Sequence, residues 1–220
     1  MLKVIFKMCK EYKHLDDLIK RYSSLEVCYK DIVSAYEILE NCFKSGNKLL
    51  VAGNGGSAAD ALHIVGELMK AFILPRKISH EIFDAIDNNC EHADYLKDNL
   101  QMALPVIALV GEIGLNTAYS NDVAPDLAFA QQVLGYGNTG DVFLGISTSG
   151  NSQNIIYAAE VAKAKGMYTV GLTGKSGGKF KDLCDVCIKV PEKDTFKVQE
   201  LHLPVYHGLC LELEEGFYGE

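Results

Sequence analysis

The chain has 220 residues, of which 48% are hydrophobic and 23% charged, and its formal net charge is −8. This size and balance fit one globular domain with a well-buried core, and the acidic charge argues against a nucleic-acid partner. No apolar run approaches the ~18 residues of a membrane-spanning helix, the first residues lack a signal-peptide pattern, and the seven cysteines follow no disulfide framework, so we expect a cytoplasmic protein with reduced thiols.

The predicted elements alternate between helices and short apolar strands. An N-terminal helical segment of about 1–46 contains a helix over 25–45, which Gly46 ends. An α/β core of about 47–220 follows. Its strands are predicted at 48–52, 105–110, 141–146, 168–172 and 186–190, and its helices at 58–72, 123–134, 152–165 and 196–217. Such alternation predicts a single α/β domain in three layers, with a parallel sheet covered by helices on both faces.

Residues 76–103 do not follow this alternation, because they carry many charges and no clear strand. We interpret them as a helical insertion, either a lid or a subunit contact, or as a solvated surface excursion.

The Cys184-x-x-Cys187 spacing is typical of a redox or metal-binding pair. However, residues 185–190 predict a strand, and side chains three apart on a strand point to opposite faces. If both cysteines lie on this strand, the two thiols should not meet, and core packing is the simpler role.

Two loops each follow a predicted strand and lead into a helix, where ligands of parallel sheets bind. The first is Gly53-Asn-Gly-Gly-Ser57. The second, Ser147-Thr-Ser-Gly-Asn-Ser152, places four hydroxyls at a helix N-terminus, whose free N–H groups and dipole favour an anion. Capping requires only one hydroxyl, so the second loop predicts a phosphate site. Neither loop has a nucleotide-binding pattern, so no nucleotide is expected.

Candidate acid–base residues lie on two predicted helices. His63 and Glu67 are four apart and share one helical face. Gln199 and His207 are eight apart, about 12 Å along a helix, with Pro204 between them, so they converge only by leaning together. Each pattern alone is more often the result of ordinary packing than of catalysis.

Taken together, the motifs resemble the phosphoheptose isomerase branch of the SIS (sugar isomerase) family. The matching stretches, spread over about residues 25–215, are Gly53–Asp60, Gly145–Ser152, Asn121-Asp122, Gly171–Gly174 and Gln199-Glu200 with His207. The resemblance implies a five-stranded parallel sheet with extra N-terminal helices, and a homotetramer with active sites at subunit interfaces. It also implies a ketose–aldose isomerase that converts sedoheptulose 7-phosphate to a glycero-manno-heptose 7-phosphate through an enediol.

The resemblance further assigns roles to residues. Glu67 would be the general base and His207 the general acid. Zinc would bind through His63, Glu67, Gln199 and His207. The phosphate and the sugar would be held by Asn54, Gly55, Gly56, Ser57, Asp122, Ser147, Thr148, Ser149, Ser152 and Gln199.

Two features leave alternatives open. Lys70-Ala71 and Phe196 differ from the residues of some heptose-specific relatives, so the sugar is not fixed. The alternative function is a non-catalytic phosphosugar-binding or protein-interaction SIS protein, of the type that associates with a replication initiator. In that protein the positions of Glu67 and His207 are occupied by other residues, which favours an enzyme here.

The N-terminal helices carry more apolar residues than the sheet requires, which also favours a homotetramer. These residues are Val4, Ile5, Phe6, Leu15, Leu18 and Ile19.

Overall fold

A computed structural model describes residues 11–219, whose centre is a five-stranded parallel sheet. The strands are β1 (Leu49–Gly53), β2 (Val106–Ala108), β3 (Val142–Ser147), β4 (Tyr168–Thr173) and β5 (Val186–Lys189). Their order is β2-β1-β3-β4-β5, and every neighbouring pair is parallel. The strands are short apolar runs because both faces of the sheet are covered. All five predicted strands are confirmed.

Nine α-helices lie within the described range: α1 (Lys13–Arg21), α2 (Tyr29–Lys44), α3 (Gly56–Met69), α4 (His80–Asn89), α5 (Ala93–Asn99), α6 (Ile113–Asp122), α7 (Ala128–Tyr136), α8 (Gln153–Ala164) and α9 (Thr195–Tyr218). Within residues 11–219, no helix combines the length and apolar character needed to cross a bilayer.

Two hydrophobic clusters, one on each face of the sheet, make the fold a three-layer sandwich. Alternate residues of β1 divide between them, with Val51 in one cluster and Leu50 in the other. The cluster around Val51 packs against α1, α2, α3 and α9, and the cluster around Leu50 packs against α7 and α8. The predicted layering is confirmed.

The helix predicted at 123–134 is wrong at its start. Residues Ile113–Asp122 form α6, and α7 begins only at Ala128. Pro125 lies in the connecting turn and disfavours helical geometry in the residue before it. The residues of α6 are exposed or half-buried, so no apolar face indicated this helix.

Two of the N-terminal apolar residues belong to the hydrophobic core of the protomer. Leu15 and Leu18 are fully buried, and both approach Gly208 of α9 within the same protomer. These two residues are therefore used inside the protomer and do not support the homotetramer, which stays a prediction. Val4, Ile5 and Phe6 lie outside the described residues.

The 76–103 insertion is helical, as predicted, and consists of α4 and α5. It is anchored by a fully buried ion pair in which Arg76 Nε lies 2.8 Å from Glu214 Oε1. The Glu214 carboxylate also accepts hydrogen bonds from the backbone N–H groups of Phe72, Ile73 and Leu74, with N···O distances of 2.7–3.1 Å. Arg76 in turn donates to the Leu68 carbonyl at 2.6 Å. These bonds tie the end of α3 to α9.

Cys184 and Cys187 do not both lie on one strand, so the condition for keeping the two thiols apart is not met. Cys184 precedes β5, so strand alternation does not apply to it, and both sulfurs lie against Gly171 of β4.

Candidate functional site

The loops after β1 and β3 lie side by side, because these strands are neighbours in the sheet. Asn54, in the first loop, and Asn154, at the start of α8, exchange two side-chain hydrogen bonds of 3.0 and 2.9 Å. In this strand order the boundary between β1 and β3 is the topological switch point, the usual ligand site of such sheets. Both loops follow a strand and lead into a helix, as predicted.

The hydroxyls of the second loop are not used for helix capping. Ser152 is the N-cap residue of α8, yet within the described chain its side chain makes no capping bond. Its Oγ instead lies 3.0 Å from Ser147 Oγ. Thr148 and Ser152 are half-buried and Ser149 is exposed. The N-terminus of α8 thus presents hydroxyls where an anion is favoured.

The second loop is held in shape by the segment after β4. Gly150 has φ +65°, and a side chain there would lie 2.1 Å from the Gly177 carbonyl oxygen. The Phe180 N–H donates to the Gly150 carbonyl at 2.9 Å, and the Gly174 N–H donates to the Thr148 carbonyl at 3.0 Å. This explains glycine at 150 in the motif.

The first loop forms a tight turn into α3. A Cβ at Gly53 would lie 2.3 Å from the Ser57 carbonyl oxygen, and Gly55 has φ +56°. Ser57 is buried, and its N–H donates to the Asn54 carbonyl at 3.0 Å. Gly56 faces the Gln199 carboxamide, whose Nε2 would be 2.4 Å from a Cβ. These glycines are therefore required by the backbone and its close contacts.

A cleft of about 310 Å³ opens beside the first loop. Its polar lining includes Asn54, Asn116, Ser120 and Asn154. Asp122 is not among its lining residues; it lies exposed at the end of α6, where Asn121 Nδ2 donates to it at 2.8 Å. Asn116, Ser120 and Asn154 were not predicted from the sequence as site residues. The four-residue spacing of Asn116 and Ser120 was a signal, but only if a helix had been predicted there.

A second cluster forms where α3 meets α9. His63 Nε2 lies 3.0 Å from Glu67 Oε1, and the His207 ring stands perpendicular to the His63 ring at a centroid distance of 4.9 Å. Glu67 keeps only 12% of its side chain exposed, and Lys70 Nζ lies 3.4 Å from its other oxygen. The shared helical face of His63 and Glu67 is confirmed, and His207 joins them.

His207 has an unused nitrogen. Its Nε2 is buried and finds no hydrogen-bond partner among residues 11–219. Burial lowers the pKa of His207, and nearby His63 lowers it further, while Glu67 opposes the shift. The imidazole is therefore neutral near pH 7 and has a nitrogen free to meet a ligand.

The opposite edge of His63 is held by Tyr206, which the sequence analysis did not single out. The Tyr206 hydroxyl lies 2.9 Å from His63 Nδ1 and donates to Asp60 Oδ1 at 3.4 Å. Burial raises the pKa of both Tyr206 and Asp60. Asp60, Tyr206, His63 and Glu67 thus form one continuous chain of polar contacts.

Gln199 lies away from this cluster, against Gly56 and two turns, about 12 Å, before His207 on α9. Glu67 lies about 16 Å along α3 from Gly56. The carbonyl of the next residue, Leu68, accepts the Leu104 N–H just before β2 begins. Glu67 is therefore near the amino edge of the sheet, opposite the edge that carries the two loops.

The fit of a metal ion to this cluster is partial. His63, Glu67 and His207 supply nitrogen and oxygen donors of the type zinc binds, and His207 Nε2 is unpaired. In the described part of the chain, however, no three His, Cys, Asp or Glu side chains stand arranged as a ligand set. The donors suit zinc, but their arrangement is not preformed.

Comparison with known proteins identifies the family. A SIS domain signature matches residues 96–174. The phosphoheptose isomerase of Aneurinibacillus thermoaerophilus is 38% identical over 215 residues, which are 93% of this chain and 96% of that protein. Phosphoheptose isomerase 2 of Campylobacter jejuni is 42% identical over 178 residues, 81% of this chain and 76% of that protein.

A solved structure, the phosphoheptose isomerase of Neisseria gonorrhoeae, superposes with a TM-score of 0.72 at 30% identity, covering 92% of this chain and 96% of that chain. This agreement in sequence and fold extends over nearly the whole chain, and it confirms the resemblance inferred from the motifs. The chain belongs to the phosphoheptose isomerase family of the SIS fold.

Proposed function

We propose that this sugar-phosphate isomerase converts sedoheptulose 7-phosphate to the corresponding aldose phosphate, a glycero-manno-heptose 7-phosphate. The observation that carries the proposal is the cluster on α3 and α9. There a partly buried Glu67 carboxylate contacts His63, and His207 offers an unpaired ring nitrogen beside them. A base and a proton donor close together are what an enediol isomerisation requires.

In the proposed reaction, Glu67 removes a proton from C1 of the ketose and returns it to C2. The C2 carbonyl oxygen must gain a proton as the enediol forms, and the C1 hydroxyl must lose one as the aldehyde forms. His207 is suited to both transfers: with the ring proton on Nε2 it can donate to the C2 oxygen and then recover a proton from the C1 hydroxyl, and Nε2 is not engaged elsewhere in the described chain.

The substrate phosphate would bind the loop 147–152. Thr148, Ser149 and Ser152 are accessible at the N-terminus of α8, and the helix dipole adds a favourable field. Neutral donors suit a protein whose net charge is −8. Asn54 and Asn154, which line the adjacent cleft, are placed to contact sugar hydroxyls.

Zinc at His63, Glu67 and His207 is part of the proposal. Gln199, also predicted as a ligand, lies about 12 Å before His207 on α9 and against Gly56, too far to bind the same ion within one protomer. When bound, zinc would polarise the substrate carbonyl and stabilise the enediolate. Support comes from the donor types and from the unpaired His207 Nε2, which with zinc bound would coordinate the metal in place of transferring a proton. Elemental analysis after zinc loading and desalting tests this: about one zinc per chain is expected for the native protein and none for His63→Ala. Full activity in metal-free protein would contradict a catalytic zinc.

We further propose a homotetramer in which each active site combines two copies of the chain. Glu67 lies about 16 Å along α3 from the loop after β1, near the opposite edge of the sheet. This separation disfavours one protomer providing both the phosphate loop and the base for a single substrate molecule. A symmetric interface that pairs the loop of one copy with Glu67 of another would complete the site.

The direct test is an isomerisation assay on C5–C7 ketose phosphates, with wild type, Glu67→Gln and the control Glu160→Gln on exposed α8. Sedoheptulose 7-phosphate should be the best substrate. Glu67→Gln should lose about 10²–10⁴-fold in turnover while binding within about tenfold of wild type, and Glu160→Gln should match wild type. Normal turnover by Glu67→Gln would reject the mechanism. Tight binding without turnover by the wild type would favour the non-catalytic alternative.

Mixing two impaired variants tests the shared site. Glu67→Gln protomers keep an intact loop, and Ser149→Ala/Ser152→Ala protomers keep Glu67. If sites combine two copies, random reassembly restores about a quarter of the sites at low substrate concentration. Activity that never exceeds the sum of the separate variants would place the whole site in one protomer.

A further inference from the structure

The thiols of Cys184 and Cys187 share one small space in the fold. Cys187 lies in β5 directly opposite Gly171 of β4, and Cys184 lies in the turn before β5. A Cβ on Gly171 would be 2.8 Å from Cys184 Sγ and 3.2 Å from Cys187 Sγ. The two sulfurs therefore occupy the volume that a side chain at 171 would fill.

The two thiols have different surroundings. Cys184 Sγ donates to the Phe180 carbonyl at 3.2 Å, and Cys187 Sγ lies 3.5 Å from Thr173 Oγ1. The interaction with the neighbouring Cys184 thiol lowers the pKa of Cys187 to about 7, with Thr173 and Lys189 assisting against burial, whereas the same interaction and burial raise the pKa of Cys184. Cys187 is thus the more nucleophilic member of the pair at neutral pH.

Both cysteines border a cleft that is open to solvent. Each cysteine is half-buried, and both line an open cleft of about 450 Å³ with Lys181 and Lys189. By contrast, Cys28, Cys42 and Cys210 are buried. Close approach, unequal acidity and access are together the features of thiols that exchange with disulfides.

We propose that Cys184 and Cys187 are a modification site, forming a reversible intramolecular disulfide on reaction with a low-molecular-weight disulfide. The Cys187 thiolate attacks one sulfur of the reagent and displaces the other as a thiolate. Cys184 then loses its proton and attacks Cys187 Sγ in the mixed disulfide, which releases the second reagent thiol. The protein dithiol is oxidised by two electrons, and the reagent is reduced to two thiols.

The test uses the full-length reduced protein and oxidised glutathione, followed by alkylation, trypsin digestion and mass spectrometry. Both cysteines fall in one tryptic peptide, residues 182–189, because Lys181 precedes it and Lys189 ends it. This peptide should lose two hydrogen atoms and resist alkylation, and dithiothreitol should reverse both changes. Cys90 is half-buried in the insertion and lies in a different tryptic peptide, so its modification serves as an internal reference for ordinary thiol reactivity.

Single variants separate the two steps. Cys184→Ser should retain a stable glutathione adduct on Cys187, because no second thiol displaces it. Cys187→Ser should react at least about tenfold more slowly in this peptide, while the control Cys90→Ser should behave as wild type. A wild-type peptide that stays alkylatable while Cys90 is modified would overturn the proposal, as would a lasting glutathione adduct on wild-type Cys187.

Discussion

At the scale of single residues, the orientation of His63 is fixed from two sides. Glu67 contacts one ring nitrogen, and the Tyr206 hydroxyl contacts the other while also reaching Asp60. Partners of this kind determine which ring nitrogen carries the proton and where the ring points. Tyr206 is thus a positioning residue, since it acts through His63, whose ring it links to Asp60.

The first prediction concerns this hydroxyl. Tyr206→Phe keeps the buried ring but leaves His63 Nδ1 and Asp60 without their shared partner. We expect kcat to fall about 10–100-fold, the usual cost of losing such a supporting bond, with KM changed less than about threefold. Steady-state kinetics measures this, with Tyr168→Phe on an exposed tyrosine as the control. Equal losses in both variants, or a loss explained by unfolding in a thermal melt, would contradict the positioning role.

Site residues could be predicted from the sequence where they belong to a motif. They could not be predicted where only the folded chain brings them together. His63 and Glu67 were predictable because four-residue spacing on a helix fixes a shared face. Tyr206 was not, because its role arises from the contact of α9 with α3. The distance between Gln199 and His207 could be predicted from the rise of a helix. The contact of Gln199 with Gly56 could not, because it depends on how α9 packs against α3.

At the scale of elements, strands were more predictable than helix starts. The five strands are short apolar runs between polar turns, and this pattern is typical of parallel strands that are buried on both faces. The beginning of α7 and the existence of α6 lacked such a signal, because α6 has no buried face and Pro125 interrupts the apolar pattern. The Cys184–Cys187 contact was not predicted, because Cys184 lies outside β5 and its side chain does not follow the alternating directions of strand residues.

The second prediction concerns the loop before α8. Ser149→Ala/Ser152→Ala removes two neutral hydrogen-bond donors while the glycine that shapes the loop is kept. We expect sugar phosphate binding to weaken about 10–100-fold, as two such bonds contribute, while kcat at saturation stays within about threefold. Titration calorimetry and saturation kinetics measure the two effects. Ser23→Ala/Ser24→Ala, on exposed serines, is the control, and an unchanged affinity in the loop variant would place the phosphate elsewhere.

At the scale of the whole molecule, the Arg76–Glu214 pair joins the end of α3 and the insertion to α9. Both side chains are fully buried. Burial by itself would raise the pKa of Glu214, but the N–H groups of Phe72, Ile73 and Leu74, together with Arg76, lower it overall. The carboxylate therefore stays charged in the fold and satisfies four donors.

The third prediction is a loss of stability on removing this charge. Glu214→Gln leaves Arg76 buried without its counter-charge, and we expect unfolding to become easier by about 3 kcal/mol or more. Asp17→Asn, which breaks the exposed Arg21–Asp17 pair, should change stability by less than about 1 kcal/mol. Denaturant titration at pH 7 compares them, and similar small changes in both variants would show that the buried pair is dispensable.

The pH dependence of stability should depend on His202, the most deeply buried histidine described. It is fully buried in α9, and in the described part of the chain neither ring nitrogen has a hydrogen-bond partner. Burial lowers its pKa from 6.5 to about 4, although the nearby Thr173 backbone opposes the shift. In acid the unfolded chain therefore takes up a proton at His202 before the folded chain does. The free energy of unfolding must then fall as the pH drops from about 6.5 to about 4.

The fourth prediction is that His202→Leu removes this part of the pH dependence. Leucine fills much of the same space and binds no proton. Between pH 6.5 and 4, the free energy of unfolding should therefore fall by up to about 3 kcal/mol less in the variant than in the wild type. Because all other titrating groups are common to both proteins, the difference between their denaturation curves isolates His202. The exposed control His80→Gln should follow the wild-type curve. A variant curve parallel to wild type across this range would mean that folded His202 accepts its proton as readily as the unfolded chain does.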